Sequence, residues 1–254
     1  MTDNLNILDN FRVVLCQTSH PGNIGSAARA MKTMGLSSLY LVNPLSFPDA
    51  HATALSTGAA DVLETATVCT SLAEALTGCA FAIGLSPRKH SLSHELLTTR
   101  KAATQAIAIA IAASQPVALV FGTEKSGLSN AELDCCQMLA MIPASAKYTS
   151  LNLAAAVQIM CYELRMAVLE NSDNPLQLAP EKAIELATID NLEGFYAHLE
   201  QTLLHIGYLN PVAPKKLMQR LRKIYARVRL EKEEVNLLRG ILTLTQVPKN
   251  HDKY

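Results

Sequence analysis

Over the first two-thirds of the chain, short apolar runs alternate with longer helical patterns. Residues 12–16, 39–42, 67–69, 81–84, 117–121 and 138–142 read as strands. The stronger of these lack polar alternation, as expected of strands covered on both faces. Between them, residues 26–34 form a run of good helix formers that Gly35 closes as a C′ glycine. Further helical patterns fall at 51–60, 72–76 and 102–114, the last ended by Pro116. Strands alternating with helices in this way predict an α/β fold with a mainly parallel sheet. Residues 151–169 then form one long helix, with Ala154, Val157, Cys161, Leu164 and Val168 along one stripe. Leu153, Ala156, Ile159 and Met160 make the opposite face apolar too, which predicts burial nearly all round. Thr149 or Ser150 is the expected N-cap.

The pattern changes after Glu170. Residues 171–180 hold Asn, Ser, Asp and two prolines and read as a linker. Beyond it no strand signal remains. Helices are expected at 192–206, with Phe195, Leu199 and Leu203 or Leu204 inward, and at 215–228 and 233–244. The organisation read from the chain is an α/β domain over 1–170, a linker over 171–180, and a small all-helical extension over 181–254.

The stretch from Pro116 to Asn152 is the centre of this design. A buried strand stops at Gly122-Thr123-Glu124-Lys125-Ser126-Gly127-Leu128-Ser129, and the next strand ends before Tyr148-Thr149-Ser150-Leu151-Asn152. Polar, glycine-bearing loops after adjacent parallel strands are where open α/β sheets bind small molecules. Glycine there is expected to let a ligand approach the main chain. The segment Leu85-Ser86-Pro87-Arg88 after another strand belongs to the same class. Two phosphate motifs fail on inspection. Gly122 to Gly127 has P-loop spacing but lacks the following Lys-Ser/Thr, and Gly22-Asn23-Ile24-Gly25 is not G-x-G-x-x-G.

Composition narrows the picture further. With 254 residues and 49% of them hydrophobic, a sizeable core is available. The six cysteines show no C-x-x-C spacing and lie in apolar surroundings, which predicts reduced, buried thiols and neither a disulfide framework nor a zinc site. His90 and His94 lack the companions of a metal motif, so no metal is expected. Residues 1–10 are polar and do not read as a leader. The uncharged stretch 102–123 is interrupted by Gln105, Ser114, Gln115 and Pro116, so a cytoplasmic protein with no membrane span is expected. The formal net charge is zero but unevenly spread. Lys215, Lys216, Arg220, Arg222, Lys223, Arg227, Arg229, Lys232 and Arg239 face only Glu231, Glu233 and Glu234 within 215–239. Such a basic helical region fits either an anionic partner such as RNA or a solvated face of a small bundle.

Three motifs in order, Asn23-x-Gly25-x-x-x-Arg29, Phe121-Gly122-x-Glu124-x-x-Gly127-Leu128 and Ser150-Leu151-Asn152-Leu153, resemble those of the SPOUT RNA 2′-O-ribose methyltransferases. Thr18-Ser19-His20, the run from Arg29 to Leu36, Val42-Asn43-Pro44 and Tyr196-x-His198-Leu199-Glu200 resemble, more narrowly, the TrmJ family of bacterial tRNA methyltransferases. The resemblance extends over essentially the whole chain. It implies an α/β fold with a C-terminal trefoil knot, a homodimer, S-adenosylmethionine as methyl donor, and 2′-O-methylation of the first nucleotide of the tRNA anticodon loop (position 32), at cytidine, uridine or both. Base rates alone would never suggest a knot.

Carried over residue by residue, the resemblance places the donor against Leu85, Ser86, Pro87, Gly122, Ile142, Thr149, Ser150 and Leu151. Arg29 becomes the cation for the reacting ribose oxygen, acting within its own chain or across a dimer. Asn23, Glu124 and Asn152 become orienting groups. Arg88, Lys215, Lys216, Arg220, Arg222, Lys223, Arg227 and Arg229 are the expected RNA contacts. Thr123 and His90 stand where relatives often carry arginine, which removes fixed positive charge beside the site. A related enzyme acting on ribosomal RNA or another tRNA position, and a catalytically silent RNA-binding module, are the competing readings.

Overall fold

A computed structural model of the protein describes residues 3–86, 96–113, 115–172 and 185–247. After a 3₁₀ turn at Asp3–Asn10, the strands are β1 (Phe11–Cys16), β2 (Ser38–Val42), β3 (Thr67–Cys69), β4 (Phe81–Leu85), β5 (Leu96–Thr98), β6 (Val117–Phe121) and β7 (Met138–Met141). They form one sheet in the order β3-β2-β1-β6-β4-β7-β5, and every pairing in it is parallel. The helices are α1 (Pro21–Met34), α2 (Ala50–Ser56), α3 (Ala60–Glu64), α4 (Leu72–Leu76), α5 (Thr99–Ala112), α6 (Asn130–Asp134), α7 (Leu153–Ser172), α8 (Ile189–His205), α9 (Leu217–Val228) and α10 (Lys232–Gln246).

Why the strands read as apolar runs is visible in their side chains. Val117, Leu119 and Phe121 of β6 pack with α1, α5 and α7 on one face. Ala118 and Val120 point the other way, into a second layer with Leu72 and Leu76 of α4, Leu133 of α6 and Ile189 of α8. Period-two alternation combined with cover on both faces leaves no polar position. Late strands enter between earlier ones: β6 lies between β1 and β4, and β7 between β4 and β5. That brings the carboxyl ends of β6, β4 and β7 side by side.

Several expectations change. Helix α1 starts at Pro21, not Ser26, so Gly22 to Gly25 are helical. Proline suits the first helical position. Gly25 lets α1 lie against α2, since a Cβ there would come within 2.0 Å of the Ala52 carbonyl oxygen. The expected helix at 51–60 is two helices, parted at Thr57 and Gly58, both with positive φ. The N-cap of α7 is Asn152, whose Oδ1 accepts from the amides of Ala154 (2.9 Å) and Ala155 (3.3 Å); Thr149 and Ser150 lie in the preceding loop. Nor is α7 buried all round. Ala155, Tyr162 and Leu169 are exposed, and Ile159 and Met166 half-buried, along one stripe at helical spacing. Helix α7 continues through Ser172, two residues into the expected linker, whose remainder lies outside the described residues.

Helices α8, α9 and α10 share a core of Leu192, Phe195, Tyr196, Leu199 and Val235. Leu203 packs against it while Leu204 is exposed, which settles the inward position. The start of α8 is anchored to the chain between α4 and β4: the Ile189 amide donates to Cys79 O (2.8 Å), and the Gly78 amide donates to the Asp190 carboxylate (3.0 Å).

Candidate active site

Loops leaving β4, β6 and β7 wall a cavity of about 460 Å³. Leu85 and Ser86 contribute from β4, Gly122 through Asn130 from β6, and Ile142, Thr149, Ser150 and Leu151 from β7. Phe121, Ala140, Leu153 and Ala156 add an apolar lining. Among the expected donor-binding residues, all but Pro87 meet in this one cavity; Pro87, like Arg88 and His90, lies outside the described residues. Lys125 through Ser129 belong to the loop marked in the sequence though not singled out one by one, and the lining residues not foreseen, Phe121, Asn130, Ala140, Leu153 and Ala156, adjoin the same loops. Their membership needed the loop's shape.

That shape comes from a tight turn. The Thr123 amide donates to Gly127 O (3.2 Å) and the Gly127 amide returns a bond to Thr123 O (2.9 Å). The Thr123 hydroxyl pairs with that of Ser126 (2.8 Å) and accepts from the Ser126 amide (3.1 Å). A Cβ on Gly122 would lie 2.1 Å from the Gly127 carbonyl carbon. Gly122 is therefore required by the turn's own backbone, a reason beyond the expected approach of a ligand.

A hydrogen-bonded chain joins the three motifs. The Glu124 carboxylate accepts from the Ser19 amide (3.1 and 3.2 Å), the Ser19 hydroxyl (3.0 Å), the His20 amide (3.2 Å) and Asn23 Nδ2 (3.0 Å). Asn23 Oδ1 in turn accepts from Asn152 Nδ2 (2.8 Å), while Asn152 Oδ1 caps α7. Partial burial acts to raise the Glu124 carboxyl, but the bonds from Asn23, its own amide, Ser19 and His20 outweigh it and hold the pKa at about 2. Glu124 is thus a fixed anion that organises the entry of α1, and is no proton donor at neutral pH.

Arg29 stands apart from this chain. It lies eight residues beyond Pro21, about 12 Å along α1, further in than a helix starting at Ser26 would place it. Six residues past Asn23, it is rotated about 120° from that side chain's direction. Its side chain is exposed, is not part of the cavity wall, and makes no hydrogen bond or ion pair among the described residues. Helix α1 packs against α7, so Arg29 shares a side of the molecule with α7.

The expected RNA contacts divide into two groups. The Arg222 guanidinium forms a two-pronged pair with the Glu193 carboxylate and lies 4.4 Å over the Tyr196 ring. Arg229 donates to Gln105 Oε1 (3.2 Å). Lys215, Lys216, Arg220 and Arg227 are exposed and Lys223 half-buried. Among the described residues no group of His, Cys, Asp and Glu could hold a metal ion, and no helix is long and apolar enough to cross a membrane. All six cysteines are free, and burial pushes the Cys79 thiol up to about 11 and that of Cys161 to about 12.

The SpoU rRNA Methylase family model matches residues 10–162, and the model of the tRNA methyltransferase TrmJ C-terminal domain matches residues 190–253. The tRNA (cytidine/uridine/adenosine-2′-O-)-methyltransferase TrmJ of Pseudomonas aeruginosa is 50% identical over 94% of this chain and 95% of its own. The Pectobacterium atrosepticum tRNA (cytidine/uridine-2′-O-)-methyltransferase TrmJ is 49% identical, over 97% of this chain and 100% of its own. Among solved structures, TrmJ from Z. mobilis superposes with a TM-score of 0.79 at 28% identity, covering 93% of this chain and 99% of that one. Matched in both its sheet domain and its helical extension, the chain belongs to the SpoU methylase family, in its TrmJ branch.

Proposed function

We propose that the protein transfers the methyl group of S-adenosylmethionine to a ribose 2′-hydroxyl of tRNA, at position 32 of the anticodon loop. The hydrogen-bonded chain from Glu124 through Asn23 to Asn152 carries this reading. It locks three separate motifs around one cavity whose loops are rich in main-chain donors and acceptors. The relatives named for tRNA 2′-O-methylation supply the reaction class and substrate. The donor would lie against Leu85, Ser86, Gly122, Ile142, Thr149, Ser150 and Leu151, and supplies an electrophilic methyl when bound. Glu124, Asn23 and Asn152 hold the loops in register. Arg29 stabilises the charge that develops on the attacking ribose oxygen; guanidinium does not readily lose a proton and so serves as a fixed cation and not as a base.

Because Arg29 lies outside its own chain's cavity wall, it acts in this reading on the cavity of a second copy. The exposed stripe of Ala155, Ile159, Tyr162, Met166 and Leu169 on α7 is the surface that two copies would share. The trefoil knot implied by the resemblance fits a chain whose β7 enters between β4 and β5. Residues 1–170 are the catalytic part, and the helical extension holds the tRNA through Lys215, Lys216, Arg220, Lys223 and Arg227. A cytoplasmic location follows from the substrate. Nucleoside mass spectrometry of tRNA from a deletion strain tests the proposal. Loss of a 2′-O-methyl nucleoside at position 32 is expected; unchanged tRNA with altered ribosomal RNA would redirect the enzyme to another substrate.

A further inference from the structure

We infer that Tyr208 is a stacking platform for an unpaired base of the RNA substrate. The inference rests on the proposed tRNA reading and adds a residue that neither the motifs nor the charge pattern pointed to. Tyr208 is 70% exposed, and among the described residues its ring meets no aromatic or cationic partner. An exposed aromatic side chain is unremarkable on a mobile loop, but this loop is pinned. Leu209 is buried, and its amide donates to Leu203 O (2.9 Å). Asn210 Oδ1 accepts from the Val212 amide (2.9 Å), and Asn210 O accepts from the Ala213 amide (3.2 Å). Pro211 and Pro214 remove further freedom. The backbone that carries the ring is thereby ordered before any partner binds, which lowers the ordering cost of binding.

The rest of the loop selects the partner. The same loop ends in Lys215 and Lys216, both in the left-handed region (φ 44° and 58°) and both exposed, with exposed Arg220 one turn into α9. Left-handed backbone at two consecutive lysines is unfavourable and persists only where the surroundings enforce it. An exposed aromatic ring on the same loop as exposed lysines that make no ion pair among the described residues is a combination that suits single-stranded nucleic acid: phosphates on the cations, a base on the ring.

The chain contains no tryptophan, so Tyr208→Trp gives a single reporter. Its emission should fall on titration with an unmodified tRNA transcript and with an anticodon stem-loop RNA. Tyr208→Ala should weaken tRNA binding on the order of 10-fold with an unchanged salt slope, while Tyr208→Phe restores affinity. Lys215→Ala should instead lower the salt slope by about one. Unquenched tryptophan together with wild-type affinity in Tyr208→Ala would overturn the inference while leaving the tRNA reading intact. No tRNA binding by the wild-type protein would overturn both, and would point to a protein as the occupant of this surface.

Discussion

At the scale of single residues, Glu124 and Arg29 make opposite predictions. Glu124 is an organiser whose carboxyl is held at about 2, below the ordinary 4.5. A depressed carboxyl contributes stability that is fully present above its unfolded value and is lost as pH falls through the folded one. Urea midpoints of the wild type and Glu124→Gln should therefore differ at pH 7 and converge between pH 4.5 and about 2. A constant gap across that window would remove the carboxylate's charge from the explanation. Arg29, whose side chain makes no hydrogen bond or ion pair among the described residues, should matter to turnover alone. Arg29→Ala is expected to slow single-turnover methylation by on the order of 100-fold or more, with S-adenosylmethionine affinity by calorimetry nearly unchanged. Both residues could be picked out from the motifs. The reach of Arg29 could not be judged, because Pro21-Gly22 reads as a loop until α2 is seen packing against Gly25.

Among the elements, the strand buried on both faces was the most legible, while the short elements were read unevenly. The run at 117–121 coincides with β6, because cover by helices on each side demands apolar residues throughout; β3, at the sheet edge with Thr67 and Val68 exposed, coincides with 67–69 without such cover. Strand β5, three residues long, and helices α3 and α6, five each, carry too few positions to display a period, whereas the equally short α4 was marked by its Leu72 and Leu76 and by the Ser71 cap. The cap of α7 was misread because Thr149, Ser150 and Asn152 are all competent caps, and only Asn152 is also tied to Asn23. Asn152→Ala should consequently cost more than the ~1 kcal/mol of an ordinary cap, since it also unlinks α7 from α1. The turn after β6 gives a sharper contrast. Gly122→Ala would drive a Cβ into the Gly127–Leu128 backbone and should lower stability, by about 1–3 kcal/mol by analogy with other overpacked sites. Ser150→Trp, at an exposed position on the cavity wall, should leave the unfolding midpoint in place and abolish cofactor binding. Unaltered cofactor affinity in Ser150→Trp would move the donor site elsewhere.

On the scale of the whole molecule, the proposed function assigns the methyl donor to the cavity of the sheet domain, the shared face of two copies to the stripe on α7, and the tRNA to the cations of α9 and its preceding loop. If Arg29 serves the neighbouring copy, Arg29→Ala and Ser150→Trp should complement each other. Equal mixing with subunit exchange makes half the dimers mixed, each with one complete site, so about a quarter of wild-type activity should return. No recovery would place Arg29 in its own chain's site. Neutralising Lys215, Lys216 and Arg220 together should reduce the salt slope of tRNA binding by roughly 2 to 3, a filter-binding measurement that leaves the cofactor site untouched. The most direct measurement of all follows the methyl group itself. The purified protein is incubated with isotopically labelled S-adenosylmethionine and unmodified tRNA, and the digested RNA is mapped by mass spectrometry. Label on the 2′-oxygen of nucleotide 32, absent with Arg29→Ala, is the predicted result; label on a base, at another nucleotide, or nowhere in the tRNA would contradict it.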